Sequence, residues 1–243
     1  MKKFLILAIT CFVSFGTYAQ NEKNIVVDAN AEVRQVTSFS GIEVSGTIDL
    51  YMSQGTEEAV AISASTDEIR QRIKTEVRNG TLLIYFDGKG LNWKKWGNHR
   101  MKAYVTFKTL KQLEASGACN VHATETIRQD ELRIELSGAS DFTGELAVRT
   151  LKLAASGASN AKISGEAESA AITANGACTL RAYDLKTQLC KTDATGASNI
   201  RITVEKELNA QASGGSTIFF KGNGLIRDIN TSGGASVKRR TED

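Results

Sequence analysis

Between residues 130 and 220 the chain alternates apolar and polar side chains at period two, and a glycine tag interrupts the alternation at regular intervals. Positions are counted here from the first glycine of each tag. Positions −6, −4 and −2 hold Leu132, Ile134 and Leu136, then Leu151, Leu153 and Ala155, then Ala170, Ile172 and Ala174. The series continues with Cys190, Thr192 and Ala194, and with Leu208, Ala210 and Ala212. Beyond each tag, positions +4 and +6 repeat the pattern: Val121/Ala123, Phe142/Gly144, Ala161/Ile163, Leu180/Ala182, Ile200/Ile202 and Ile218/Phe220. Period-two alternation predicts strands with one buried face, so each tag joins two inward-facing strands.

The tags read SGACNV, SGASDF, SGASNA, NGACTL, TGASNI, SGGSTI and SGGASV. Their first glycines are Gly117, Gly138, Gly157, Gly176, Gly196, Gly214 and Gly233, at steps of 21, 19, 19, 20, 18 and 19 residues. Such a period means one unit stacked on copies of itself. Glycine turns the chain where other residues resist turning, and the small residues beside it keep the corner narrow. Ser, Thr or Asn at −1 and mostly Asn, Asp or Thr at +3 should stack into hydroxyl and amide ladders. A coil of about nineteen residues has room for two or three short strands and tight corners. The expected fold is all-β: a parallel β-solenoid, right-handed like other parallel crossovers. Its seven coils should span about 34 Å.

An eighth tag, Ser45-Gly46, lies in FSGIEVSGTIDLYM, with Gly46 as its corner. The chain then leaves the period until about Leu110. Residues 59–64 alternate as a strand, and 67–72 suit a helical turn capped by Thr66 or Asp67. Asn79-Gly80 between two alternating runs predicts a hairpin. Residues 101–113 should lead back into the repeat through Tyr104–Phe107. An end coil needs cover, so this front section is expected to act as a cap.

Composition changes the picture in three ways. Lys2 and Lys3, an apolar run and Thr17-Tyr18-Ala19 read as a signal peptide over 1–19, with the mature chain starting near Gln20; the apolar run is short for a membrane span. Without Lys2 and Lys3 the balance is 28 basic against 27 acidic side chains, a net charge of +1, and no overall field favours nucleic acid. Cys119, Cys178 and Cys190 are odd in number, which excludes a complete disulfide framework. The chain has no proline, as suits residues that donate to ladders on both sides.

FSGIEVSGTIDLYMSQG, RNGTLLIYF, YVTFKTLKQLEASGACNV and the serial tags, in that order, resemble the head GIN domain family. This family of auto-transporter adhesins occurs in exported proteins of Bacteroidetes-type bacteria. The resemblance runs from about Ser38 to the C-terminus. It implies a β-helical fold and an envelope or surface location, and it supplies no catalytic residues. The expected organisation is a signal peptide (1–19), a lead segment (20–37) and one β-solenoid domain (38–243). That domain holds a first coil and cap-like section (38–110) and seven regular coils (111–243). No barrel strands follow the last coil, so no transmembrane anchor is expected in the mature chain.

Reactive chemistry is sparse. His99 and His122 are the only histidines, and neither has partners at ligand spacing, so no metal or cofactor is expected. The tag serines lack a neighbouring base. Asp130, Glu131, Glu145, Glu166, Glu168 and Asp184 fall between tags and read as a solvated face; a groove of a carbohydrate-active β-helix enzyme is the alternative. Residues 88–102, GKGLNWKKWGNHRMK, combine aromatic and basic side chains without an acid. Trp93, Trp96, Lys94, Lys95 and Arg100 are the candidate ligand-contact residues, suited to sugar rings or anionic polymers. The functional expectation is a non-catalytic, exported, adhesin-like module that meets glycans or other envelope components. A polysaccharide-binding protein or carbohydrate-active enzyme is the alternative.

Overall fold

The computed structural model describes residues 28–90 and 100–240. Its front section contains β1 (Glu32–Arg34), β2 (Gly41–Gly46), β3 (Ile48–Gln54), β4 (Ala59–Ala64), α1 (Asp67–Arg72), β5 (Ile73–Arg78), β6 (Thr81–Phe86) and β7 (Met101–Phe107). The repeat follows as β8 (Gln112–Gly117), β9 (Asn120–Ala123), β10 (Ile127–Leu136), β11 (Asp141–Gly157), β12 (Asn160–Gly176), β13 (Thr179–Gly196) and β14 (Asn199–Ala212). β15 (Thr217–Lys221), β16 (Leu225–Thr231) and β17 (Ser236–Arg239) complete it. All seventeen strands belong to one sheet, and from β8 onward every pairing is parallel.

The alternating positions point as the period requires. Each residue named at −6, −4 and −2 is buried, and so are Val121, Phe142, Ala161, Leu180, Ile200 and Ile218 at +4. A fully buried Leu, Ile or Phe side chain is worth roughly 1.5–3 kcal/mol, and each coil places several against the coils on either side.

The glycine corners form a column. The residue after each glycine donates its N–H to the carbonyl of the corner glycine one coil earlier. Ala118 reaches Gly46 O at 2.7 Å, Ala139 reaches Gly117 O at 2.7 Å and Ala158 reaches Gly138 O at 2.8 Å. Ala177 reaches Gly157 O and Ala197 reaches Gly176 O, both at 2.7 Å. All eight corner glycines have positive φ, between 70° and 106°. A Cβ on Gly176 would stand 2.5 Å from Gly157 O, so stacking as well as backbone conformation excludes larger residues there. The +2 side chain turns inward beneath the corner, and in four tags it donates to the carbonyl of position −1. Ser159 does so to Ser156 O at 2.9 Å and Ser216 to Ser213 O at 2.8 Å. The thiols of Cys119 and Cys178 lie in the same place, 3.3 and 3.4 Å from Ser116 O and Asn175 O. Ser198 donates instead to Gly176 O at 3.1 Å. The ladders are partial: Asn120 donates to Asp49 at 2.7 Å, Asn160 to Asp141 at 2.8 Å and Thr195 to Asn175 at 2.7 Å.

Two features differ from the sequence reading. β11, β12 and β13 run unbroken from one tag almost to the next, over 17, 17 and 18 residues. In these three strands the coil bends between tags within the strand, in β12 and β13 with local register shifts against the next coil between Lys162 and Gly165 and between Ala182 and Lys186. Gly165, at φ 101°, marks one such bend, where a Cβ would collide with Leu146 O.

The second difference is the path of the front section. β7 is not a lead-in to the repeat. β6 and β7 pair in parallel with β2 and β3, while β8 and β9 pair with the other edges of the same two strands. The coil that comes first in sequence is therefore flanked on both sides by later ones. Beyond β6 and β7 the sheet ends in antiparallel cover: β5 lies on β6, β4 on β7 and β1 on β4. The β5–β6 hairpin turns at Asn79-Gly80, with φ values of 50° and 76°. Thr66 caps α1 by accepting from the Ile69 N–H at 3.3 Å.

Candidate functional site

Trp93, Trp96, Lys94, Lys95 and His99, with the leader 1–19 and its Cys11, lie outside the described residues. Arg100 is described and exposed. The stems of this loop are braced. Arg72 donates to Asp87 O at 3.3 Å and Lys89 O at 3.0 Å, and Asp87 accepts the Lys89 N–H at 3.1 Å. β6 ends at Phe86, whose Cβ faces Gly46 across 4.0 Å of the space a Cβ there would fill. β7 resumes at Met101, opposite Ile48. β6 thus ends and β7 begins beside the corner column, where every later coil turns on a glycine tag.

The outward face beyond the corners is built of in-register ranks. At +5 Tyr104, Tyr51 and His122 stack in turn, with ring centroids 5.5 and 5.2 Å apart. Sequence reasoning took His122 as a lone outward residue; only the pairing of β3 with both β7 and β9 supplies its stacking partner. Tyr104 donates to Asp28 Oδ2 at 2.8 Å. Burial, then this hydrogen bond, pushes the Tyr104 hydroxyl well above the ordinary tyrosine range. Burial pulls Asp28 upward, but the bonds from Tyr104 and the Asn30 N–H outweigh it and hold the carboxyl below its usual value.

Asp130, Glu131, Glu145, Glu166, Glu168 and Asp184 are all exposed, and all but Asp184 line one of three separate shallow grooves. One, of about 690 Å³, is lined by Gln54, Thr124, Arg128 and Glu145. A second, of about 640 Å³, holds Asp130, Glu131 and Arg149, and a third, of about 500 Å³, holds Glu166 and Glu168. Gln54 in the first is committed to the fold: it donates to Lys108 O and Arg128 O and accepts the Arg128 N–H. Among the described residues no three His, Cys, Asp or Glu side chains are placed to hold a metal ion. Cys119, Cys178 and Cys190 are buried free thiols, and burial pushes the Cys190 thiol up to about 12. No helix among the described residues is long and apolar enough to cross a membrane.

Stacked corner repeats, a thin apolar axis and flat ranked faces define a parallel β-solenoid of repeat type. Residues 38–224 match the family described as "Putative auto-transporter adhesin, head GIN domain", and the chain belongs to that family. Solved structures share the fold. A putative adhesin from Bacteroides fragilis is 24% identical at a TM-score of 0.77, covering 86% of this chain and 96% of that one. A putative adhesin from Parabacteroides distasonis is 18% identical at 0.70, covering 86% and 96%. A putative lipid binding protein from Parabacteroides distasonis is 16% identical at 0.67, covering 88% and 98%. No curated protein matches the chain significantly.

Proposed function

We propose that this chain is an exported interaction module of the cell envelope or cell surface, adhesin-like in action and without a catalytic step of its own. Membership of the head GIN family is the observation that carries this reading. The leader over 1–19 delivers the protein, and the domain over 38–243 does the binding. Its partners are glycans or other envelope components. The segment bearing Trp93, Trp96, Lys94, Lys95 and Arg100 is its first candidate contact, supported by the hold of Arg72 on Asp87 and Lys89 just before it.

Fluorescent beads carrying the protein are tested on a glycan array and on envelope fractions of the producing bacterium. The reading predicts saturable binding above beads that carry an unrelated β-solenoid, and a loss of roughly tenfold in the Trp93→Ala/Trp96→Ala variant. Binding no better than the control beads, or specific depolymerisation of an arrayed glycan, would contradict it.

A further inference from the structure

Five successive strands, β12, β13, β14, β15 and β17, present outward side chains at +3, +5 and +7 of the last coils. This face carries Lys162, Arg181, Arg201, Lys221, Lys238 and Arg240, and no acid. Registers place Lys162 beside Arg181, Arg181 beside Arg201, Arg201 beside Phe219 and Phe219 beside Lys238. Three cations therefore stand in single file on adjacent strands, roughly 4.8 Å apart.

Like charges directly opposite one another destabilise a sheet. A merely solvated face mixes its signs, as the opposite face does with Arg133 beside Glu135 and Lys191 near Asp193. Over the whole chain the charges nearly balance, 30 basic to 27 acidic, so their separation onto one face is a local choice. Among the described residues, Lys162 and Arg181 make no ion pair. Arg201 binds only Asn199 Oδ1, at 3.2 Å through Nε, which leaves the end of its guanidinium free.

We propose that this rank binds a linear acidic polysaccharide, its carboxylate or sulfate groups meeting successive cations along the solenoid axis. The inference deepens the interaction-module reading and rests on it. The coil spacing resembles the advance of one sugar ring in an extended chain. The flanking Thr179 and Thr217 offer hydrogen bonds to hydroxyl groups. Both aromatic rings on this face are already covered: Arg240 lies 4.5 Å over Phe219 and Lys221 lies 5.1 Å over Tyr183. A base or a bilayer would therefore have to displace a cation to reach the covered face of either ring.

Binding of the whole chain is measured to polygalacturonate, dextran sulfate, neutral dextran, phosphatidylserine vesicles and duplex DNA, at low and raised salt. The proposal expects retention on one or both acidic polysaccharides, none on dextran, and a loss of roughly tenfold or more at high salt. Polygalacturonate and dextran sulfate separate a carboxylate ligand from a sulfate one. Lys162→Gln/Arg181→Gln/Arg201→Gln should weaken binding by roughly tenfold or more, whereas Lys152→Gln/Lys191→Gln on the opposite face should change it less than about twofold. The triple variant should melt no lower than the parent, because it removes repulsion; single Arg181→Gln provides a milder check. Equal binding by the triple variant, or binding to vesicles or DNA alone, would overturn the proposal. Beads that bind envelope fractions equally with and without the three cations would overturn it too, yet leave the module reading intact. Beads that bind nothing would overturn both.

Discussion

Among the described residues, Thr192 is the one buried hydroxyl without a hydrogen-bond partner. It is fully buried between Ile172 and Ala210, and its Oγ1 has no partner. Of the inward serines at +2, by contrast, Ser159, Ser198 and Ser216 donate to corner carbonyls and Ser140 accepts the Cys119 N–H. Thr192→Val keeps the shape and removes an unsatisfied polar atom, so stability should rise by about 1 kcal/mol; a shift of the denaturant midpoint upward, with unchanged slope, would show it. Cys190 makes a second residue-scale case. Its thiol is pushed up to about 12 by burial, against about 8.5 in an unfolded chain. Between those values the folded state holds a proton that the unfolded state has lost, so stability falls as pH rises through that window. Cys190→Ala should flatten this alkaline decline. In the native protein a thiol reagent at pH 8 should leave Cys119, Cys178 and Cys190 unlabelled, and mass spectrometry of the peptides reads the result.

The tag is the element on which the coil turns, and its positions are not equivalent. Gly176→Ala puts a side chain at φ 106° against Gly157 O and should cost roughly 3 kcal/mol, from conformational strain and overpacking together. Gly215 stands at +1, where most tags carry alanine; a Cβ there would meet only Gly196 O, at an ordinary 3.7 Å. Gly215→Ala should stabilise by about 0.5 kcal/mol through the unfolded chain. Thermal melts of the two variants should move in opposite directions. What the sequence made legible was local. Alternation placed Leu132, Ile134 and Leu136 inside, Asn79-Gly80 announced its turn, and Thr66 its helix. What stayed hidden depended on which strand finds which. β6 and β7 lack a tag, so nothing periodic signals that they form a coil, and their site on the outer edges of β2 and β3 is decided by pairing across the sheet. Tyr104–Phe107 alternates as well in that coil as it would in a lead-in. The continuity of β11 to β13 was hidden for a related reason: the bends of β12 and β13 are absorbed by local register shifts against the next coil, which only the pairing reveals. The basic rank was equally hidden, because Lys162, Arg181 and Arg201 lie 19 and 20 residues apart and meet only once the register is known.

At the scale of the molecule the two ends are closed differently. The front end is covered by β1, β4 and β5, whose antiparallel course terminates the parallel stack. At the other end Leu225, Ile226 and Ile229 of β16 are exposed, and one side chain bridges the opening. Arg239 occupies the inward column above Phe220, lies 4.9 Å over its ring, and donates to Gly222 O at 2.6 Å and Gly224 O at 2.7 Å. Between these ends the corner column sets the rise of every coil, and with it the spacing of the basic rank. Double electron–electron resonance measures that column directly. With one nitroxide at Ala118→Cys and the second at Ala197→Cys, Gly215→Cys or Gly234→Cys, the buried native thiols stay unlabelled. The corner column predicts separations rising through about 19, 24 and 29 Å, one coil per step. Distances that fail to lengthen in that order, or that scatter without a common increment, would contradict it.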